Sequence, residues 1–217
     1  MKLEQKLRTF GGVPLTHGTL LSILDEYRSP NDKIVRMIDE GSLLPIKKGL
    51  YAVSPEITGI PLSLPLVANL LYGPSYVSME YALHHYGIIP ERVVEITSMT
   101  TRRGETYDLT VGRFSYTHSP PEFYAIGIDR LENPDQTGFL MASPEKALCD
   151  KLVFTRNLNI KSRDALEELL FDDLRIDEDS LARFDMKVIH ACIAAGMKSD
   201  MLRALRQLLD LLHREVS

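Results

Sequence analysis

The chain of 217 residues is long enough for one or two domains with a substantial hydrophobic core. Its hydrophobic fraction of 44% and charged fraction of 25% are typical of a globular protein, and no apolar run approaches the roughly 20 residues needed to span a bilayer. The N-terminus lacks the apolar core of a signal peptide. Only two cysteines occur, Cys149 and Cys192, without the spacing of a zinc or disulfide framework. We therefore expect a cytoplasmic protein without a membrane partner.

Charge is distributed unevenly along the chain. Residues 1–53 contain 8 Lys+Arg and 6 Asp+Glu, a net charge of +2. Residues 54–159 contain 8 against 12, and residues 160–217 contain 9 against 12, which gives −4 and −3. A slightly basic front on an acidic remainder fits a small DNA-binding head on a body with a different role.

Three short helices are predicted at the front of the chain. Apolar residues at i, i+4 and i+7 predict a first helix over residues 2–10. Thr16, or Thr19 after a glycine, can cap a second helix. Ser29 is placed to act as the N-cap of a third helix and Pro30 as its first residue, where the missing N–H costs nothing.

A hairpin is predicted directly after the third helix. Gly41 is placed to end that helix, and residues 43–46 and 50–53 can pair as strands across a tip that carries Lys47 and Lys48. Three helices followed by such a hairpin have the order of a winged helix-turn-helix. A small α-helical domain without this fold is the alternative interpretation.

The remainder of the chain alternates between helical and strand patterns. Residues 54–61 are predicted to be a linker. We expect strands at 93–101, 106–117, 123–128 and 138–142. We expect helices at 62–72, 78–87, 143–154, 162–171, 186–197 and 199–214. The predicted fold class is α+β, in three parts: a winged helix-turn-helix over 1–55, a small antiparallel sheet with flanking helices over 62–157, and a helical bundle over 158–217.

Several polar residues of the head predict contacts with DNA. Lys33 and Arg36 are three apart and share one face of the third helix, opposite its apolar stripe. Asn31 carries the amide that reads adenine in a major groove. Lys47 and Lys48 can meet phosphates or a flanking minor groove from the hairpin tip.

Thr16 and His17, at the start of the second helix, can donate to backbone phosphates. Asp32 counts against this interpretation because a carboxylate repels a phosphate. By charge alone, a solvated face accounts for the lysines and arginines better than contacts with DNA do.

Catalytic motifs are absent from the sequence: there is no Gly-rich phosphate loop, no nucleophile elbow and no H-E-x-x-H. His84 and His85 are adjacent on a helix and point about 100° apart. Asp108, Glu122 and Lys146 resemble a metal-nuclease set, but the acidic-x-Lys pair of such a site is missing. We therefore expect no catalytic residue, no metal and no cofactor. A nuclease or nucleotide-modifying enzyme is the alternative, and a protein-interaction module that does not bind DNA is a third hypothesis.

Three blocks of the sequence resemble the AbiEi-type antitoxins. The first is P-I-K-K-G-L-Y-A-V at 45–53, and the third is A-S-P-E-K-A-L-C-D-K-L at 142–152. The second is Y-G-P-S-Y-V-S-M-E-Y-A-L-H-H-Y-G-I-I-P-E at 72–91, followed by V-V-E-I-T-S-M-T-T-R-R. In this order and spacing the blocks cover about residues 1–155, whereas the helical tail matches no motif.

The resemblance implies a transcriptional autorepressor whose N-terminal winged helix binds inverted repeats of double-stranded DNA in its own promoter. It also implies a type IV toxin–antitoxin pair, in which the C-terminal part counteracts a nucleotidyltransferase-type toxin without a requirement for direct binding. Carried over by position, the DNA contacts are Asn31, Lys33, Arg36, Lys47 and Lys48. Arg102 and Arg103 are our candidates for a basic patch in the antitoxin part, with an ordinary solvated turn as the alternative.

Overall fold

The computed structural model of this chain describes residues 3–133, 137–158, 160 and 162–216. The fold is mixed α+β and contains a three-stranded and a six-stranded sheet. No helix in the described ranges is both long and apolar enough to cross a bilayer. Residue 2, the predicted start of the first helix, lies outside the described residues.

The N-terminal unit follows the predicted order of helices and strands. Its elements are α1 (Leu3–Arg8), β1 (Leu15–Thr16), α2 (His17–Ile23), α3 (Pro30–Asp39), β2 (Leu43–Lys47) and β3 (Leu50–Val53). The three strands form an antiparallel sheet in the order β1-β3-β2. The predicted hairpin is therefore confirmed, and a two-residue strand before α2 completes its sheet.

Local chemistry explains where α2 and α3 begin and end. Thr16 is the N-cap of α2, and its hydroxyl accepts a hydrogen bond from the Thr19 backbone N–H. Pro30 begins α3 as predicted, but the Ser29 side chain makes no capping hydrogen bond. Gly41 follows the helix with a φ of +72°, a left-handed conformation that glycine adopts without strain.

The segment between β3 and residue 86 is more regular than predicted. Its elements are α4 (Pro55–Thr58), α5 (Leu64–Leu71), β4 (Ser75–Val77) and α6 (Met79–His85). The predicted linker over 54–61 is wrong in part, because Ser54 caps a single helical turn there. Strand β4 was not predicted, since it has only three residues and all of them are buried.

The large sheet is mixed, so the predicted antiparallel sheet is wrong. Its remaining strands are β5 (Ile96–Thr100), β6 (Glu105–Leu109), β7 (Gly112–His118), β8 (Ile128–Glu132) and β9 (Gly138–Ala142). A helical turn, α7 (Pro121–Tyr124), lies between β7 and β8. The strand order is β6-β7-β5-β4-β9-β8, and β5 pairs in parallel with β7, as β4 does with β9. The more exposed β6 lies at the edge, while the buried Phe114 and Tyr116 place β7 beside β5.

Two predicted strands need correction within this sheet. The predicted strand over 106–117 is two strands, because the chain reverses at Thr110–Val111 and pairs β6 with β7. The predicted strand over 123–128 is instead the end of the helical turn α7, which Pro121 begins as its first residue, followed by a turn over 125–127. Pairing with β9 begins only at Ile128.

Helices complete the chain on one side of the sheet. They are α8 (Pro144–Phe154), α9 (Arg163–Glu167) continued by a π-helical stretch (Glu168–Asp173), α10 (Glu178–Leu181), α11 (Met186–Ala194) and α12 (Ser199–Val216). Of these, α10 was not predicted. Buried residues of α9, α11 and α12 belong to the same hydrophobic cluster as the large sheet, so the tail packs as part of the body.

A fully buried ion pair fastens α8 to the sheet. The Lys146 ammonium lies 2.8 Å from Asp150 Oδ1 and donates to the Phe123 carbonyl at 2.8 Å. Asp150 Oδ2 accepts hydrogen bonds from the hydroxyls of Tyr76 at 3.0 Å and Ser78 at 2.6 Å. Burial raises the pKa of Asp150, and Lys146 and the two hydroxyls oppose that increase.

Candidate nucleic-acid interface

Helix α3 presents polar side chains on the side opposite its buried apolar face, and Lys33 Nζ lies 6.0 Å from the centroid of the Tyr27 ring. Asn31 and Arg36 are exposed and Lys33 is half-buried, whereas the apolar side of the helix is buried in the small N-terminal core. In the described ranges none of these three side chains forms an ion pair or a side-chain hydrogen bond. Their charges and donors are therefore available to an external ligand.

The predicted pair on α3 lines a depression of about 360 Å³ beside the turn that precedes the helix. Lys33 and Arg36 contribute to its wall together with Arg28 and Asp32. Three cations and one carboxylate thus share this surface, which favours an anionic ligand. Asp32 is exposed and forms no ion pair with these cations.

The start of α2 lies against the hairpin tip. The His17 backbone N–H donates to the Gly49 carbonyl at 2.9 Å, and the His17 ring lies 6.2 Å from that of Tyr51. Thr16 shares a 2.8 Å hydroxyl contact with Thr19 in addition to its capping role. The structure therefore places Thr16 and His17 against the hairpin tip, where the neighbouring Lys48 is exposed.

Lys47 lies on the same hairpin but has a protein partner. Its ammonium donates to the Leu71 carbonyl at the last residue of α5. Partial burial lowers the pKa of Lys47, and the nearby Arg102 guanidinium lowers it further. This hydrogen bond thus joins the hairpin to the body. The neighbouring Lys48 is exposed and has no ion pair among the described residues.

Arg102 and Arg103 lie in the turn between β5 and β6, close to this anchor. Arg102 stacks on Tyr72 with its Cζ 4.3 Å from the ring centroid, and its Nη1 donates to the Gly73 carbonyl at 3.3 Å. Arg103 is exposed, and among the residues that the structure describes only its carbonyl is engaged, by the Tyr72 hydroxyl at 3.1 Å. The two arginines of the predicted patch therefore have different environments.

Two residues of the head were missed by the sequence analysis. Arg28 lies in the turn before the third helix and drew no attention by sequence, yet the structure places it beside Lys33 and Arg36. Val35 lies on α3 with 56% of its surface exposed, although an apolar residue at that position suggested no polar contact. Val35 can be identified as a candidate contact only once the structure shows that its side of α3 is exposed.

The structure does not assemble the residues of the nuclease alternative. Lys146 is fully buried and bonded to Asp150, so its ammonium does not reach the surface. Asp108 and Glu122 are exposed on β6 and α7. Within the ranges that the structure describes, no group of three or more His, Cys, Asp or Glu residues is arranged to hold a metal ion.

A scan against models of known protein families finds no match to this chain, and no curated protein matches it either.

Proposed function

We propose that this chain is a DNA-binding transcriptional repressor, with its N-terminal unit acting as a winged helix-turn-helix. The observation that carries the proposal is the element order α1-β1-α2-α3-β2-β3 around a three-stranded sheet, together with a cationic α3 surface that forms no ion pair within the described residues. In this proposal α3 is the helix that enters the major groove and the β2–β3 hairpin is the wing.

The proposed contacts follow from side-chain chemistry. Asn31 reads an adenine edge near the start of α3, and the exposed Val35 can meet a thymine methyl group. Lys33, Arg36 and Lys48 neutralise phosphates, which fixes the position of the protein without reading the sequence.

The proposal is tested by fluorescence anisotropy with labelled DNA from upstream of the gene. Replacement of both Lys33 and Arg36 by Ala removes two phosphate contacts, so affinity falls and the slope of log K against log salt becomes shallower by about 2. The matched control replaces Arg183 and Lys187, an exposed pair in the body, by Ala. If the wild-type protein binds this DNA no better than random DNA, the proposal fails.

Lys47 and Lys48 give a sharper test of the wing. Lys48→Ala is expected to make the salt slope shallower by about 1, because an exposed phosphate contact is lost. Lys47→Ala removes the bond to Leu71 and should lower thermal stability while leaving that slope unchanged. Equal slope changes for the two variants would contradict these roles.

The proposal extends to an antitoxin that counteracts a nucleotidyltransferase-type toxin, and this part is supported by the resemblance of the three sequence blocks. Co-expression with a nucleotidyltransferase-type gene beside this one should relieve growth arrest caused by that gene alone. The Arg102→Ala/Arg103→Ala variant tests the basic patch in the same assay. Persistent arrest with well-expressed wild-type protein would remove the antitoxin part and leave the DNA-binding part intact.

A further inference from the structure

A polar cleft of about 880 Å³ opens in the body, away from the residues of the N-terminal unit. The β6–β7 hairpin lines one side of it, and the end of α8 lines the other. Part of its lining is apolar and is formed by Met79 and Phe154. Its volume is in the range of about 300–1,000 Å³ that small-molecule sites occupy.

Two arginines line this cleft without any carboxylate partner. Arg103 comes from the β5–β6 turn and Arg156 from the segment after α8. Both are exposed, and neither side chain has an ion pair or a hydrogen bond within the described residues. In contrast, Lys151 in the same cleft is paired with Glu80. The cleft therefore combines one neutralised pair, two guanidinium groups without an ion pair, and the carboxylate of Glu105. Three cations against two carboxylates give it a net charge of +1, in a chain of net charge −5.

Hydroxyl groups line the strand side of the cleft. Thr106 and Ser115 lie opposite each other on β6 and β7, and Thr117 follows on the same side of β7. None of these hydroxyls has a hydrogen-bond partner in the ranges that the structure describes. His118 Nδ1 lies 3.0 Å from the Arg102 carbonyl and so donates to it, which leaves Nε2 as an acceptor in the neutral ring.

We propose that this cleft binds a nucleoside phosphate. Guanidinium groups bind phosphate oxygens in bidentate fashion, so Arg103 and Arg156 supply the anion site. The unpaired hydroxyls and His118 Nε2 match a ribose, which both donates and accepts hydrogen bonds. The half-buried Phe154 supplies an apolar surface for the face of a base, and the largely buried Met79 also lines the cleft.

The acidic residues of the cleft favour a single nucleotide over a nucleic-acid strand. Glu80 and Glu105 lie among the cations, and Glu105 Oε1 is 3.3 Å from the Thr106 backbone N–H. A strand needs a continuous cationic groove for successive phosphates, and these carboxylates interrupt it. The site does not depend on DNA binding by the N-terminal unit.

Isothermal titration calorimetry of the full chain, without DNA, tests the proposal. The probes are ATP, GTP, CTP and UTP, with inorganic pyrophosphate and adenosine as partial ligands. The Arg103→Ala/Arg156→Ala variant should bind the preferred nucleotide about 100-fold more weakly, roughly tenfold for each lost charged contact. The control Arg92→Ala/Arg183→Ala removes the same charge from exposed positions outside the cleft and should bind as the wild type does.

Three outcomes overturn the proposal. The first is that no nucleotide binds the wild-type protein, and the second is that pyrophosphate binds as tightly as a nucleotide, which removes the role of the base. The third is binding of single-stranded RNA that requires Arg103 and Arg156, with no binding of the mononucleotides. Thermal unfolding of each variant establishes that it is folded under the titration conditions, so a lost signal reports on the cleft.

Discussion

Replacement of Lys146 by Met is expected to destabilise the protein strongly, although the side chain is close to isosteric. The variant leaves Asp150, which is fully buried, with two hydroxyl donors and no cation. Loss of one member of a buried ion pair costs about 3–5 kcal/mol in the free energy of unfolding, because the remaining charge stays desolvated. Urea unfolding followed by circular dichroism measures this cost in a chain that has no tryptophan.

The cost of Lys146→Met should depend on pH. Burial already raises the pKa of Asp150, and loss of Lys146 removes an influence that lowers it. A carboxyl group whose pKa is higher in the folded than in the unfolded state takes up its proton preferentially in the folded state. The stability of the variant relative to wild type therefore rises as the pH falls through the folded-state pKa, so the deficit is larger at pH 7.5 than at pH 5.

A double-mutant cycle with Asp150→Leu isolates the interaction energy between Lys146 and Asp150 from their contacts with other residues. The double variant should be less destabilised than the sum of the two single variants, because no unpaired charge stays buried. Lys187→Met, at an exposed position, serves as the control and should change stability by no more than about 0.5 kcal/mol. A deficit for Lys146→Met below about 1 kcal/mol at pH 7.5, or one that is equal at both pH values, would refute this reasoning.

Three further substitutions test the packing around α8. Gly127→Ala should lower the free energy of unfolding by about 2–3 kcal/mol, because the φ is +58° and the new Cβ would lie 2.8 Å from that of Lys146. The control Gly59→Ala, at a φ of +70° with open space around it, should lower it by only about 1 kcal/mol. Equal losses for the two variants would contradict the predicted clash. Ser143→Ala removes the oxygen that caps α8 and should cost about 1 kcal/mol, with Ser143→Thr as the variant expected to recover part of it. Lys198→Met removes hydrogen bonds to three backbone carbonyls near the end of α8 and should lower the free energy of unfolding by about 1–3 kcal/mol. An unchanged urea midpoint would show that water molecules replace these hydrogen bonds.

Local sequence chemistry predicted much of the fold. Pro30 and Pro144 begin helices at the predicted residues, because a proline at the first helical position needs no neighbour far along the chain. The same chemistry at Pro121 was outweighed by an apolar run that resembled a strand. Sheet order was not predictable in this way, since the parallel pairing of β4 with β9 and of β5 with β7 depends on packing between distant segments.

The sequence was less informative about which charged side chains are free to bind an external ligand. Lys146 and Asp150 are four residues apart on a helix, a spacing that usually indicates an exposed pair, yet both are buried. Lys47 and Lys48 looked equivalent at the hairpin tip, but only the structure shows that Lys47 meets the end of α5. The availability of a charge depends on the neighbours that folding brings to it, and those neighbours lie far away in the sequence.

The β2–β3 hairpin belongs to two hydrophobic cores at once. Leu43 and Val53 pack in the small N-terminal core, whereas Ile46, Leu50 and Ala52 pack in the large one. A head joined in this way cannot swing freely on a tether. If two copies of the proposed repressor bind an inverted repeat, their bodies therefore set the distance between the two α3 helices. Insertion of about 5 base pairs, half a helical turn, between the half-sites is therefore expected to abolish joint binding, where a flexibly linked head would tolerate it.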